Sequence, residues 1–112
     1  MTQEFIYHII SENEWEGVSK KESYIPDSLS SDGFIHFSFS DQVNEVIKRF
    51  YKEEEDLLLL KVDISKIKSN LKIETIGDLG SYPHLYSELK LENVVGIYRI
   101  QKNDNNDYFW LE

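Results

Sequence analysis

The hydrophobic residues in two segments of the chain alternate with a period of two, which is typical of β-strands. Residues 5–10 are β-branched, aromatic or aliphatic apart from His8, which lies on the even-numbered face. Residues 34–39 alternate in the same way, with His36 and Ser38 on one face and three apolar side chains on the other. The sequence therefore predicts two strands, each of which carries one histidine.

Two other segments carry helix signals. Ser11 stands three residues before Glu14, which is a capping box, so a short helix is predicted from there to about residue 21. Between residue 40 or 41 and residue 51 the apolar residues recur at helical spacing. Asp41 lies in the first turn of this segment and basic residues lie in the last, as the helix dipole favours. This second helix is the better defined of the two.

The remaining segments complete the predicted sheet. Residues 57–62, Leu-Leu-Leu-Leu-Lys-Val, are too few to cross a membrane and suit a central strand covered on both faces. Further strands are predicted at 71–76, 94–100 and 108–111, and a helical turn at 65–68. Loops are predicted at 24–33, at 77–86 and, as a polar hairpin-like segment, at 102–107. We expect a single α+β domain over residues 1–112, with a compact, twisted, mixed or antiparallel sheet and two main helices.

Composition narrows the class of protein. The 112 residues are 40% hydrophobic and 13% aromatic, and they include no cysteine, so we expect a fold held by packing in a reducing compartment, the cytoplasm. With a formal net charge of -9, the protein lacks the cationic surface that binding to duplex nucleic acids requires. The N-terminal segment is typical of neither a secretion signal nor a membrane span. We therefore expect a cytoplasmic monomer that binds neither membranes nor duplex nucleic acid.

Three histidines share a setting of aromatic and turn-forming residues: His8 in Tyr-His-Ile, His36 in Asp-Gly-Phe-Ile-His-Phe-Ser and His84 in Tyr-Pro-His-Leu-Tyr. Imidazole changes charge near neutral pH and can donate at one nitrogen while it accepts at the other. We expect the three to converge on one polar pocket that binds a small molecule, with His84 and His36 as catalytic candidates and His84 as the acid or base. The expected ligand contacts are His8, Ser38 and three tyrosines that would stack on a ring, Tyr24, Tyr82 and Tyr86.

Two other interpretations stay open. In one, the histidines are satisfied core residues of a non-catalytic binding or interaction module, whose acidic surface meets a basic partner. In the other, the imidazoles hold zinc or iron in a metal-dependent enzyme, but the spacing of known metal motifs is missing and no residue is assigned as a ligand. The motifs of Rossmann folds, phosphate loops and common hydrolases are also missing. Backbone amides at 38–42, at the start of the second helix, are the one predicted feature that could hold a phosphate.

The most specific segments are Asp-Gly-Phe-Ile-His at 32–36 and Pro-His-Leu-Tyr at 83–86. Together with Tyr7-His8-Ile9, Trp15 and the segments 24–29 and 57–63, they resemble a family of mostly bacterial proteins catalogued as domain of unknown function 952. The resemblance covers nearly the whole chain.

That family is grouped by fold similarity with ADP-ribosyltransferase-like proteins, so the resemblance implies a sheet split around a cleft that holds nicotinamide adenine dinucleotide (NAD). In this likeness Tyr7-His8 is similar to the Tyr-His opening of the first-strand motif, in which the histidine holds the ribose of the cofactor. Ile9-Ile10 stands where those enzymes commonly have Gly-Thr, and no residue matches their catalytic glutamate. The resemblance implies a nucleotide-like ligand, which is NAD or a fragment of it. The activity it implies is that of an ADP-ribosyl or related transferase, but it leaves open whether the chain is an enzyme at all.

Overall fold

A computed structural model describes residues 5–51, 54–102 and 108–110. Its strands are β1 Phe5–Ser11, β2 Ser23–Tyr24, β3 Ile35–His36, β4 Leu57–Asp63, β5 Leu71–Thr75, β6 Ser81–Leu85, β7 Leu89–Lys90, β8 Val94–Arg99, β9 Gln101–Lys102 and β10 Tyr108–Phe109. Its α-helices are α1 Glu12–Val18, α2 Asp27–Ser31 and α3 Val43–Phe50. Short 3₁₀ turns lie at Ser40–Gln42, Ile64–Lys66, Lys68–Asn70 and Leu91–Asn93.

Two three-stranded sheets form the body of the fold, one in the order β1-β4-β8 and the other in the order β3-β6-β5. Two small ladders, β2-β7 and β9-β10, flank them, and every pairing in the described part of the chain is antiparallel. Tyr7 in β1 and Ser38 after β3 form a bridge between the large sheets, with two backbone hydrogen bonds of 2.8 Å. The α+β class with mostly antiparallel sheets is confirmed.

Strand β4 is central, as its run of leucines predicts. It lies between β1 and β8, and residues 57–60 are buried on both faces. Leu58 and Leu60 join one hydrophobic cluster, while Leu57 and Leu59 join another beneath α3. Each buried leucine contributes about 1.5–3 kcal/mol through the burial of apolar area. This two-sided packing holds β1, which carries His8, against the core.

The two predicted helices are present. Ser11 Oγ accepts a hydrogen bond of 3.1 Å from Glu14 N, as the capping box requires, and α1 begins at the next residue. It ends at Val18, three residues before the predicted end, since Gly17 and Ser19 are weak helix formers. The second helix consists of the 3₁₀ turn at 40–42 and then α3. Among the described residues no helix is long and apolar enough to cross a membrane.

Two predicted loops contain regular structure. The segment predicted as a loop at 24–33 holds the end of β2 and helix α2. The segment at 77–86 holds β6, the middle strand of the second sheet. The glycines on which the prediction at 77–86 rests, Gly77 and Gly80, do lie in a turn, but β6 begins at Ser81, so the prediction was wrong from there on. Pro83 has no N–H to donate, and its carbonyl accepts a 3.0 Å hydrogen bond from Phe37 N.

The predicted strand at 34–39 is shorter in the structure, where β3 covers two residues before the chain continues to the bridge at Ser38. Strand β8 closely matches the segment predicted at 94–100. Of the predicted hairpin-like segment, residues 103–107 lie outside the described residues, as does the end of the segment predicted at 108–111.

Candidate functional site

A pocket of about 580 Å³ lies between the two large sheets, the end of α3 and the turn that precedes β6. Its volume falls within the range of about 300–1,000 Å³ that is usual for small-molecule sites. His8, His36 and His84 all line it, so the structure brings the three histidines to one place. The other lining residues are Tyr7, Ile9, Phe37, Ser38, Val46, Phe50, Tyr51, Ile76, Leu79 and Tyr82.

His8 is buried and both of its ring nitrogens have protein partners. Nδ1 lies 2.6 Å from the carbonyl oxygen of His36, and Nε2 lies 3.0 Å from the hydroxyl of Tyr24. Burial lowers the pKa of His8 to about 4, so the ring is neutral at pH 7. A neutral ring has one donor, so Nδ1–H donates to the carbonyl and Nε2 accepts from the tyrosine.

Tyr24 lies behind His8 and is absent from the pocket lining in the described part of the chain. Its hydroxyl is also 3.3 Å from Oε2 of Glu14 in α1, so the carboxylate and Nε2 of His8 share its one proton as acceptors. Burial, followed by the charge of Glu14, raises the pKa of Tyr24 above its ordinary value. The position supports His8 and does not offer the ring of Tyr24 to a ligand for the stacking that the sequence predicts.

His84 is buried, with a partner at one ring nitrogen and none at the other. In β6 it stands opposite His36 of β3, and its Nδ1 lies 2.8 Å from Oε1 of Glu74. The ring of Phe34 stacks on it at 4.0 Å between centroids, with an interplanar angle of 17°. Nε2 is buried and has no hydrogen-bond partner within the described ranges. A carboxylate that accepts from Nδ1–H leaves Nε2 as a bare acceptor.

Glu74 in β5 binds two groups at once, since Oε1 also accepts a hydrogen bond from the hydroxyl of Tyr86. The Tyr86 hydrogen bond, and then that of His84, lower the pKa of Glu74, and the same Tyr86 bond raises the pKa of the tyrosine. Tyr86 is thus a partner of Glu74 and, within the described residues, is not part of the pocket wall. Glu74 was missed from the sequence because its place beside His84 depends on the register of β5 with β6.

His36 differs from the other two histidines because its side chain is 52% exposed. Its Nε2 lies 3.0 Å from Oδ2 of Asp32, four residues earlier, and its ring meets that of His84 edge-on at 5.6 Å between centroids. Gly33 has φ +89°, a conformation that favours glycine, and this turn brings Asp32 back towards the histidine. Asp32 belongs to a segment that the sequence singles out, but its pairing with the imidazole was not foreseen.

Apolar side chains supply most of the remaining wall. Ser38 and Tyr82 line the pocket as expected from the sequence, and the Tyr82 hydroxyl donates to the Leu79 carbonyl at 3.3 Å. Phe50 at the end of α3 is 61% exposed, and Ile76 before β6 is 37% exposed. Sequence patterns did not mark these two residues, because apolar residues at an element's end are typical of an ordinary core.

The described residues contain no group of three or more histidines, cysteines, aspartates and glutamates that could hold a metal ion. Two carboxylate–imidazole pairs and one fully partnered imidazole are present instead. Such an arrangement can accept, donate and move protons, and it can bind polar groups of a ligand.

The fold and the pocket define a small α+β protein with two linked antiparallel sheets and an imidazole-lined cavity where they meet. The chain belongs to the family described as Protein of unknown function (DUF952), whose model matches residues 9–97. Among curated proteins none matches the chain.

Solved structures of one bacterial protein share the fold. The chain is 26% identical to protein CC0527 from Caulobacter crescentus, a structural genomics target, and its crystal structure matches with a TM-score of 0.83. That match covers 93% of this chain and 92% of the other. The solution NMR structure of the same protein matches with 26% identity and a TM-score of 0.80, over 91% and 89% of the two chains.

Proposed function

We propose that the pocket binds a small ring-containing ligand of the nucleotide type, NAD or a fragment of it, and that His84 acts on this ligand as an acid or base, in ADP-ribosyl or related transfer. The observation that carries the proposal is the unpartnered, buried Nε2 of His84, a residue that lines a pocket of ligand size. A buried polar atom without a partner costs about 1–3 kcal/mol, which a ligand that donates a hydrogen bond would recover.

In this proposal Glu74 determines which ring nitrogen of His84 carries the proton. With Nδ1–H held by the carboxylate, Nε2 accepts a proton from an O–H or N–H group of the ligand. The positive charge that forms on the ring then lies 2.8 Å from the carboxylate oxygen, which stabilises it. The half-exposed His36 ring is the second imidazole at this wall, and it turns towards the ligand to donate to or accept from its polar groups.

The other site residues act by position. Tyr82 offers an aromatic surface for a ring, and Ser38 offers its hydroxyl at the wall that it shares with the bridge to β1. The nitrogens of His8 are used within the protein, so this residue fixes the His36 backbone and contacts a ligand through its ring. This role differs from the hydrogen bond to ribose that the family resemblance implies.

Isothermal titration calorimetry with NAD, ADP-ribose, nicotinamide and adenosine tests the proposal. We expect at least one of them to bind, and the variant His84→Gln to bind it about tenfold more weakly, as loss of one hydrogen bond in a closed site predicts. Glu92→Gln, an exposed change away from the pocket, is the matched control. Heat from none of the four compounds, or equal binding by His84→Gln and the control, would overturn the proposal.

Turnover separates the transferase from the binding module. We expect the native protein to consume NAD and release nicotinamide, both measured by chromatography. We expect His84→Gln to do neither. Binding without any turnover would remove the catalytic part of the proposal and leave the non-catalytic module.

A further inference from the structure

The pocket wall carries no lysine or arginine among the residues that the structure describes. Its ionisable side chains include three imidazoles, and His8 is neutral at pH 7 because of burial. His36 lies 3.0 Å from the carboxylate of Asp32, and His84 lies 2.8 Å from that of Glu74. Each of these two pairs therefore has a net charge of zero or minus one, whichever form the imidazole takes.

Most of the backbone amides in the predicted phosphate site already have partners within the fold. Of the amides predicted as a phosphate site at 38–42, Ser38 N donates to Tyr7 O at 2.8 Å and Phe39 N to Oε1 of Gln42 at 2.9 Å. The amide of Gln42 itself donates to the carbonyl of Phe39 at 2.9 Å. Three of these donors are thus used within the fold, and a phosphate would have to compete for them.

The cation of Lys72 lies near the site without lining it. Lys72 of β5 pairs with His84 across the sheet, and its Nζ lies 5.0 Å from the centre of the Tyr86 ring. Its charge is the weakest of the influences that lower the pKa of Glu74. Lys72 thus balances Glu74 from outside the pocket wall.

The hydrogen-bonding groups of the pocket wall, like its charge, disfavour a phosphate. In the neutral form of the ring, Nε2 of His84 is an acceptor that lacks a donor. The oxygens of a phosphate ester at neutral pH are acceptors and carry negative charge, so a phosphate at this position would face a second acceptor and the nearby carboxylates. The N–H and O–H groups of a heterocycle or a sugar are donors. The apolar and aromatic walls suit the ring that carries them.

We infer that the pocket selects a neutral or cationic heterocycle with an N–H or O–H donor, a nucleoside in place of a nucleotide, and that a phosphate on the ligand weakens binding. The inference rests on the proposed function, since both place the ligand against His84. It adds the charge and the hydrogen-bonding class of the ligand, and it predicts that NAD binds less well than its phosphate-free portions.

Matched ligand pairs test the inference by calorimetry at low ionic strength near pH 7.5. The pairs are adenosine with adenosine monophosphate, and nicotinamide riboside with nicotinamide mononucleotide. We expect each phosphate-free compound to bind about tenfold or more tightly than its partner, because an unpaired charge is costly in a site of low polarity. We expect the difference to shrink as salt screens the repulsion.

The two possible failures are distinguishable. Equal or tighter binding of the phosphorylated compounds would overturn the inference and leave the proposed function intact. Binding of NAD or ADP-ribose without binding of either phosphate-free compound would also overturn the inference alone. Absence of binding by these four compounds and by NAD, ADP-ribose and nicotinamide would overturn the proposed function, and the inference with it.

A cation placed at the mouth of the pocket provides a second test. Ile76 lines the pocket and is 37% exposed, whereas Ile73 of β5 is 51% exposed and absent from the lining. We expect Ile76→Lys to bind adenosine monophosphate about fivefold more tightly than the native protein, the size expected for one partly exposed ion pair, with little change for adenosine. Ile73→Lys is the control for net charge, and circular dichroism checks that both variants fold. An equal gain in both variants, or none in Ile76→Lys, would contradict the inference.

Discussion

The buried imidazole of His8 makes the fold sensitive to mild acid. Its pKa is about 4 in the folded protein, against 6.5 when the side chain is exposed. Between these two values the unfolded chain binds a proton that the folded chain does not, so the free energy of unfolding falls as the pH is lowered through this window. The contribution is fully present above pH 6.5 and is lost as the pH falls towards 4.

The difference between the two pKa values of His8 corresponds to about 3 kcal/mol once both have been passed, and to about 2 kcal/mol between pH 7 and pH 5. This is a large part of the 5–15 kcal/mol that is usual for domains of about this size. Carboxylates act at lower pH. Glu12, Asp63 and Glu74 have pKa values lowered from ordinary values of 4.5 or below, so their stabilisation is lost mainly beneath this window.

Urea unfolding followed by tryptophan fluorescence at pH 7, 6 and 5 measures the effect. We expect the native protein to lose about 2 kcal/mol over this range and the variant His8→Asn, less stable at pH 7, to lose much less. Val95→Ala, at an exposed side chain without an ionisable group, is the control and should keep the native pH dependence. A native protein of constant stability from pH 7 to 5, or a His8→Asn variant with the native pH dependence, would refute the reasoning.

Three further outcomes are expected. Tyr24→Phe should lower the free energy of unfolding by about 1–3 kcal/mol, since Nε2 of buried His8 loses its donor; unchanged urea midpoints would count against that hydrogen bond. Leu59→Ala should cost about 2–5 kcal/mol in thermal unfolding, because its side chain is fully buried in β4. Glu74→Gln should return the pKa of Tyr86 towards 10, so that in an alkaline ultraviolet titration one tyrosine ionises at a lower pH than in the native protein; an unchanged titration curve would contradict the pairing.

The parts of the fold that could be predicted are those in which one sequence pattern dominates. The leucine run of β4 has no polar residue to leave exposed, so only a strand covered on both faces satisfies it. The capping box at Ser11 acts between neighbours in sequence and needs no tertiary partner. β6 could not be predicted because the nearby glycines favour a loop, and the strand depends on pairing with β3 and β5 on its two sides.

Some residues of the candidate site could likewise be predicted from the sequence, and others could not. Histidine is rare enough to attract notice in a sequence, and its three positions do line one pocket. Asp32 and Glu74 are two acidic residues among many in an acidic chain, and only the turn at Gly33 and the register of β5 with β6 select them. Tyr24 and Tyr86 look like ring-stacking residues, but their hydroxyl groups bind His8 and Glu74 behind the wall.

The bridge between Tyr7 and Ser38 joins the backbones of the two large sheets through two hydrogen bonds, and both residues line the pocket. Its local opening breaks these two bonds, at a cost of about 0.5–1.5 kcal/mol each, while the His8–His36 hydrogen bond and the core around Ile35 still join the sheets. The amide protons of these two residues should therefore exchange with deuterium sooner than those in the middle of β4. A ligand that spans the junction should slow that exchange, so the bridge reports occupancy of the pocket without any label on the ligand.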